Sequence, residues 1–170
     1  MKEISFRYDV LPLKDKLFRL ALRITLNREE AEDIVQDTLL RIWDKRAEWT
    51  ELNSMEAFGM TVCRNLSLDR AERKERQNIS LDEGTYDCMD FSSAPDVRMM
   101  HSESESIVGQ LINRLPEKQR TVVHLRDIEG KTYKEIAGTL GLTEADVKVS
   151  LHRARTWIKE QFNRLDKYGL

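Results

Sequence analysis

Residues 132–155 read TYKEIAGTLGLTEADVKVSLHRAR, and this stretch decides the fold of the second half of the chain. Thr132, followed three residues on by Glu135, is a capping-box pattern: the hydroxyl takes the third helical amide and the carboxylate returns to the cap amide. Ala137 is small, Leu140 is apolar, and Gly141 accepts the left-handed conformation that ends a helix. Thr143 then caps a second helix, with Asp146 in place of the usual Glu. Two short helices joined by a Gly-containing turn form the helix-turn-helix pattern.

At 100° per residue, Val147, Leu151, Ala154 and Ile158 fall within about 60° of one another and are expected to form the buried seam of the second helix. The opposite face carries Ala145, Val149, His152, Arg153 and Thr156. Asp146, Lys148, Val149, His152 and Arg153 are therefore the expected contacts to base edges and phosphates in a major groove. Arg155 lies on the other flank, placed for the DNA backbone or for neighbouring protein. A basic amphipathic helix alone is as easily a solvated surface. The cap, the turn and the seam together favour DNA reading.

Working outward, LPEKQRTVVHLRDIEG predicts a helix with Pro116 at its first position, where the missing N–H costs nothing, stopping near Gly130. Residues 80–105, SLDEGTYDCMDFSSAPDVRMMHSESE, lack a helical apolar period and predict an extended, flexible linker. In the first half, LKDKLFRLALRITL places Leu13, Leu17, Leu20 and Ile24 on one stripe. Asn27 and Glu30 predict a further capping box, opening a helix through REEAEDIVQDTLLRIWDKRAEW. Its inward set is Ala31, Val35, Leu39 and Ile42, or the neighbours Ile34 and Trp43; its outward face shows Glu29, Asp33, Gln36 and Asp37. Ser54 is the expected cap of a third helix, MEAFGMTVCRNLSLDRAERKER, with Phe58, Val62 and Leu66 apolar and a basic end at Arg70, Arg73, Lys74 and Arg76. Cations there suit the helix dipole, which explains part of that cluster without DNA. The fold class is all-α: two small helical domains, residues 1–79 and 106–170, joined by an acidic linker at 80–105.

The net charge of −2 hides a partition. Residues 1–79 balance 15 basic against 15 acidic side chains, residues 80–105 hold one against seven, and residues 106–170 hold 12 against 8. No apolar run approaches the roughly 20 residues of a membrane span. MKEISFRYDV lacks a signal-peptide block, so a cytoplasmic chain with no membrane insertion is expected. Cys63 and Cys88 form no CxxC and read as two reduced thiols.

These residues reach a family. LPEKQRTVVHLRDIEGKTYKEIAGTLGLTEADVKVSLHRAR resembles region 4 of the bacterial extracytoplasmic-function (ECF, group IV) RNA polymerase sigma factors, of the sigma-70 family. AEDIVQDTLLRIW and AFGMTVCRNLSLDRAERKER resemble region 2, in the right order and at the right separation. The resemblance implies that Asp33, Gln36 and Asp37 meet the β′ clamp helices of core RNA polymerase, with the β flap as a second contact. It implies that region 2 melts the promoter −10 element and holds a flipped base. Asn65 and Asp69 fall on the polar pocket positions, and Trp49 on a loop aromatic. Phe58 stands where a Trp is more usual, with packing inside region 2 an equal role, and Arg64, Arg70, Arg73 and Lys74 are phosphate candidates. In region 4, Lys148, Val149, His152 and Arg153 align with −35 contacts. Many relatives carry Ser-Arg where this chain has Val149-Ser150, which implies a different −35 preference. Gly59 replaces the family's usual Leu and is expected to loosen its helix. The resemblance also implies a membrane-anchored anti-sigma factor as partner.

Two rivals differ in what they require. An autonomous helix-turn-helix regulator needs a sensing domain and a dimer interface, yet residues 1–79 show no receiver-like βα alternation. An enzyme needs a nucleophile elbow, a metal-spaced His or Cys set or a phosphate loop, and none is present; no cofactor or metal is expected. A self-sufficient DNA binder also favours a basic surface. A sigma subunit tolerates an acidic chain, because core polymerase supplies much of the grip and links two modest modules.

Overall fold

α1 (Lys14–Thr25) buries Leu17, Leu20 and Ile24 as one stripe, with Leu13 half-buried, in the computed structural model of the chain, which describes residues 3–49, 52–81 and 107–167. Leu26 ends α1 in the left-handed region (φ 54°), an unusual place for a branched side chain. Asn27 then caps α2 (Arg28–Asp44): its side chain accepts from the Glu30 N–H at 3.0 Å. The second half of the expected capping box is replaced, since the Asn27 N–H donates to Thr25 Oγ1 at 3.3 Å. α2 buries Ala31, Ile34, Val35, Leu39 and Ile42, so both expected inward sets contribute; the helix packs on both α1 and α3 and buries a wide face. α2 ends five residues before Trp49, because Lys45 leaves helical geometry and a 3-10 turn, Arg46–Glu48, follows.

α3 (Leu52–Leu81) starts before Ser54, which lies within its first turn and is not its cap. It also runs through Ser80 and Leu81, two residues into the expected linker, since no Gly or Pro interrupts the chain before Gly84. The rest of the linker, with Cys88, lies outside the described residues. The buried face of α3 is Met55, Gly59, Met60, Cys63 and Ser67, whereas Phe58, Val62 and Leu66 are only half-buried. The contact stripe is thus displaced by one residue from the apolar one, and Gly59 supplies the reason. A Cβ there would lie 2.8 Å from Ile42 Cδ1 and 3.6 Å from Leu17 Cδ2. Gly59 therefore allows α3 to approach α1 and α2 closely; the expectation that it merely loosens the helix is corrected.

In the second half α4 spans Ile107–Asn113 and α5 spans Glu117–Val123. Pro116 is the residue before α5 (φ −54°, ψ 149°), one position earlier than expected. α5 passes into a π-helical turn, His124–Ile128, and the chain reverses at Gly130 (φ 71°). Both bonds of the Thr132–Glu135 capping box form, at 3.1 Å each, and open α6 (Tyr133–Leu140). Gly141 closes α6 at φ 67°, and Thr143 Oγ1 accepts from the Asp146 N–H at 3.1 Å to open α7 (Glu144–Lys167). Val147, Leu151 and Ala154 are buried against α5 and α6, with Ile158 half-buried beside them. The two halves pack on each other, α1 against α5 and α3 against α6. Among the described residues there is no strand, and no helix is long and apolar enough to cross a membrane.

Candidate functional site

α2 turns Asp33, Gln36 and Asp37 outward, and all three are exposed. Leu40, one turn on, shares that face and is 58 % exposed. Sequence reasoning passed over it, although its spacing of three, four and seven from the polar residues carried the signal. Asp33 Oδ2 lies 3.6 Å from Arg70 on α3, so the acidic face and one of the expected phosphate contacts share an edge.

The α3 candidates separate by azimuth. Phe58, Asn65 and Asp69 fall within about 40° on one face, with roughly 10 Å of helix rise between Phe58 and Asn65. Asn65 and Asp69 are exposed. Trp49 rests on Phe58, ring centres 5.0 Å apart, and its Nε1–H donates to the Ile42 carbonyl at 3.2 Å. Lys45 Nζ sits 4.8 Å from the Phe58 ring centre, leaving an aromatic floor with a cation at its rim. Both rings are half-buried, so Phe58 takes the packing role as well as facing the pocket line. Arg70 and Lys74 lie about 140–180° round from Asn65, on a different side of the helix. Arg73 and Lys74 are exposed, while Arg64 is half-buried, its Nε enclosed without a hydrogen-bond partner.

On α7 the structure brings Asp146, Lys148, Val149, His152 and Arg153 together on one exposed surface. Lys148 Nζ lies 5.4 Å from the Tyr133 ring centre, and Arg126 covers the same ring at 4.5 Å. Of the Val149-Ser150 pair only Val149 faces outward, at 48 % exposed; Ser150 is buried in the seam. Arg155 stands apart from this surface. Its guanidinium forks onto both Asp127 oxygens, a bond that raises its pKa and ties α7 to the π-helical turn. Beside that pair runs an apolar groove of about 410 Å³, lined by Val108, Ile112, Val123, Ile128, Ile158 and Phe162, with Lys159 at its rim. Its walls come from α4, α5, the turn and α7, some fifty residues apart, which is why no local pattern announced it.

Between the two halves lies a polar network. Arg23, only 5 % exposed, donates through Nε to His124 Nδ1 at 3.3 Å and through a terminal nitrogen to Asn113 Oδ1 at 2.7 Å. Arg19 forks onto Glu129 at 2.7 and 3.2 Å, and His124 Nε2 stands 3.5 Å from the same carboxylate. Burial pushes the Glu129 carboxyl up, but the His124 ring 3.5 Å away and the hydrogen bonds from Arg19 outweigh it and hold the group down at about 2. Burial lowers the His124 pKa, which keeps the ring neutral so that its Nδ1 can accept from Arg23. Glu56 bridges Lys16 and Lys131 at 3.0 Å each, and Arg120 donates to the Ile24 carbonyl at 3.2 Å.

Residues 10–77 match the family model for sigma-70 region 2, and residues 106–158 match that for sigma-70 region 4. The chain is 31 % identical over 142 residues to the ECF RNA polymerase sigma factor SigL of Mycobacterium tuberculosis, covering 81 % of this chain and 77 % of the relative. It is 29 % identical over 147 residues to the ECF RNA polymerase sigma factor SigE of Mycolicibacterium smegmatis, of which it spans 57 %. Its fold is similar to that of the sigma factor RpoE solved with the anti-sigma factor NepR from Bartonella quintana: TM-score 0.71, 21 % identity, 93 % of this chain and 96 % of that one.

Proposed function

Because the chain belongs to the ECF sigma factors, transcription initiation factors and not enzymes, we propose a specific division of labour among its surfaces. Region 2 spans residues 1–79 and region 4 spans residues 106–170, separated by the acidic stretch 80–105. The acidic face of α2, Asp33, Gln36 and Asp37 around Leu40, docks on the basic β′ clamp helices of core RNA polymerase. The observation that carries this is the outward face itself, on which Asp33, Gln36 and Asp37 are exposed beside Leu40 at 58 % exposure, an apolar centre with acidic neighbours that suits a basic partner surface. The groove between α4 and α7 takes an apolar helix of the β flap.

At the −10 element the Trp49–Phe58 floor receives an unstacked base, and Asn65 and Asp69 read its polar edge. Arg64, Arg70, Arg73 and Lys74 hold phosphates, with Arg70 first leaving Asp33. At the −35 element Asp146, Lys148, Val149, His152 and Arg153 read the major groove, and Arg155 supports their helix through Asp127. The protein works in the cytoplasm, and a membrane-anchored anti-sigma factor covers its docking faces until a signal arrives; the solved RpoE relative is itself held by an anti-sigma factor.

The test is runoff transcription with purified core polymerase and a genomic promoter pool. Promoter-specific transcripts that require the protein, and that disappear when Asp33, Gln36 and Asp37 are changed together, support the assignment. Repression in the absence of any core enzyme would instead identify an autonomous regulator.

A further inference from the structure

We propose that Val149 is a methyl reader: in the −35 element it packs on the 5-methyl group of one thymine and so sets the base preference at that position. The inference rests on the function proposed above and names what the centre of that surface reads.

At 100° per residue, Val149 stands about 190° from the mean direction of Val147, Leu151 and Ala154, so it points straight away from the buried seam. It is 48 % exposed and lies in the second turn of α7, within the part of a recognition helix that reaches base edges. An apolar, β-branched residue there serves neither the core, which is on the other side, nor the helix, since Val is a weaker helix former than Ala. The polar residues stand to its sides: His152 and Lys148 about 60–100° one way, Arg153 and Asp146 about 40–60° the other. Lys148 is held at that flank by the Tyr133 ring, its Nζ 5.4 Å from the ring centre. Ala145, one turn before Val149 and also exposed, is too small to hold the bases off.

The major-groove edges of guanine, cytosine and adenine present donors and acceptors, and thymine alone adds a methyl group. Val149 has neither donor nor acceptor. Against any other edge it strips water from a polar atom and returns no hydrogen bond. Against thymine it exchanges water for an apolar contact. The side chain is also preset, because Val in a helix holds one χ1 rotamer about 90 % of the time and loses little freedom on contact. One buried methyl corresponds to about fourfold in affinity.

In the experiment, holoenzyme assembled from the full chain and core polymerase first selects duplexes from a pool with a randomised −35 element. Each selected thymine is then replaced by deoxyuridine, which removes the 5-methyl group and leaves every hydrogen-bonding atom in place. One such replacement is expected to weaken holoenzyme binding about fourfold in competition assays. Val149→Ala is expected to abolish that difference while the melting temperature stays within about 2 °C, as for a surface substitution. At the same position, 5-methylcytosine is expected to bind about fourfold better than cytosine, again only when Val149 is present. Selection of no thymine, indifference to deoxyuridine at every position, or a methyl effect that persists in Val149→Ala would overturn the methyl contact alone. A holoenzyme with no base preference anywhere in the −35 element would overturn the region 4 assignment with it.

Discussion

Gly59 offers the sharpest test of the packing argument, because two effects of opposite sign meet at one carbon. In an open helix interior, Gly→Ala gains about 1 kcal/mol from backbone entropy. Here the new Cβ would stand 2.8 Å from Ile42 Cδ1, and Ile42 is fully buried. Turning that methyl off its rotamer costs about 0.5–1.5 kcal/mol, so Gly59→Ala is expected to change stability by less than about 1 kcal/mol. Gly59→Leu adds three further carbons where Leu17 Cδ2 is already 3.6 Å from the first, and overpacking of this kind costs about 1–3 kcal/mol. Ile42→Val removes the obstructing Cδ1 at a cost of about 0.5–1.5 kcal/mol by itself. In that background Gly59→Ala should recover its full gain, giving a favourable coupling of about 1 kcal/mol in a double-mutant cycle. Urea denaturation of the four proteins, followed by far-UV circular dichroism, measures it. Additive effects, or a Gly59→Leu chain more stable than the parent, would refute the close approach of α3 to α2.

Leu40→Ala should weaken core-polymerase binding by at least tenfold in fluorescence anisotropy while leaving the melting temperature within 2 °C, on the order expected for a central apolar contact that is exposed in the free chain. Val149→Arg should shift −35 selection toward guanine in a randomised-promoter pool, whereas Ser150→Arg, placed in the buried seam, should instead lower stability by about 2 kcal/mol. Acid should loosen the contact between the regions. His124 is held neutral below its ordinary value of 6.5, so protonation disfavours the closed form as pH falls through that value; Glu129, held down at about 2, withdraws its contribution only below the ordinary 4.5. Scattering and thermal melts at pH 7.5 and 5.5 measure this, and identical values at the two pH values would rule it out.

Short-range chemistry was legible in the residues. The Thr132–Glu135 box, the left-handed Gly141, the Thr143 cap and the Val147–Leu151–Ala154 seam all follow from spacings within eight residues, and all occur. The outward placement of Asp33, Gln36 and Asp37, and of Val149, His152 and Arg153, follows from the same helical period. Errors arose where the partner of a helix matters. The contact face of α3 is set by how closely Gly59 lets it approach Ile42, which no period within α3 records. Arg155, open in the sequence between the DNA backbone and neighbouring protein, finds its partner in Asp127, 28 residues earlier.

By itself the sequence determined an all-α chain with a helix-turn-helix, an acidic helix face and a basic helix end, since caps and 3.6-residue periods act through neighbouring residues. Only the tertiary structure decided that a groove opens beside α7 and that Arg23 and Glu129 bind the two regions together. The reason is one of range. Arg23 and His124 are 101 residues apart, and whether such groups meet depends on how whole helices pack, a choice made by summed burial across the core and not by any local signal.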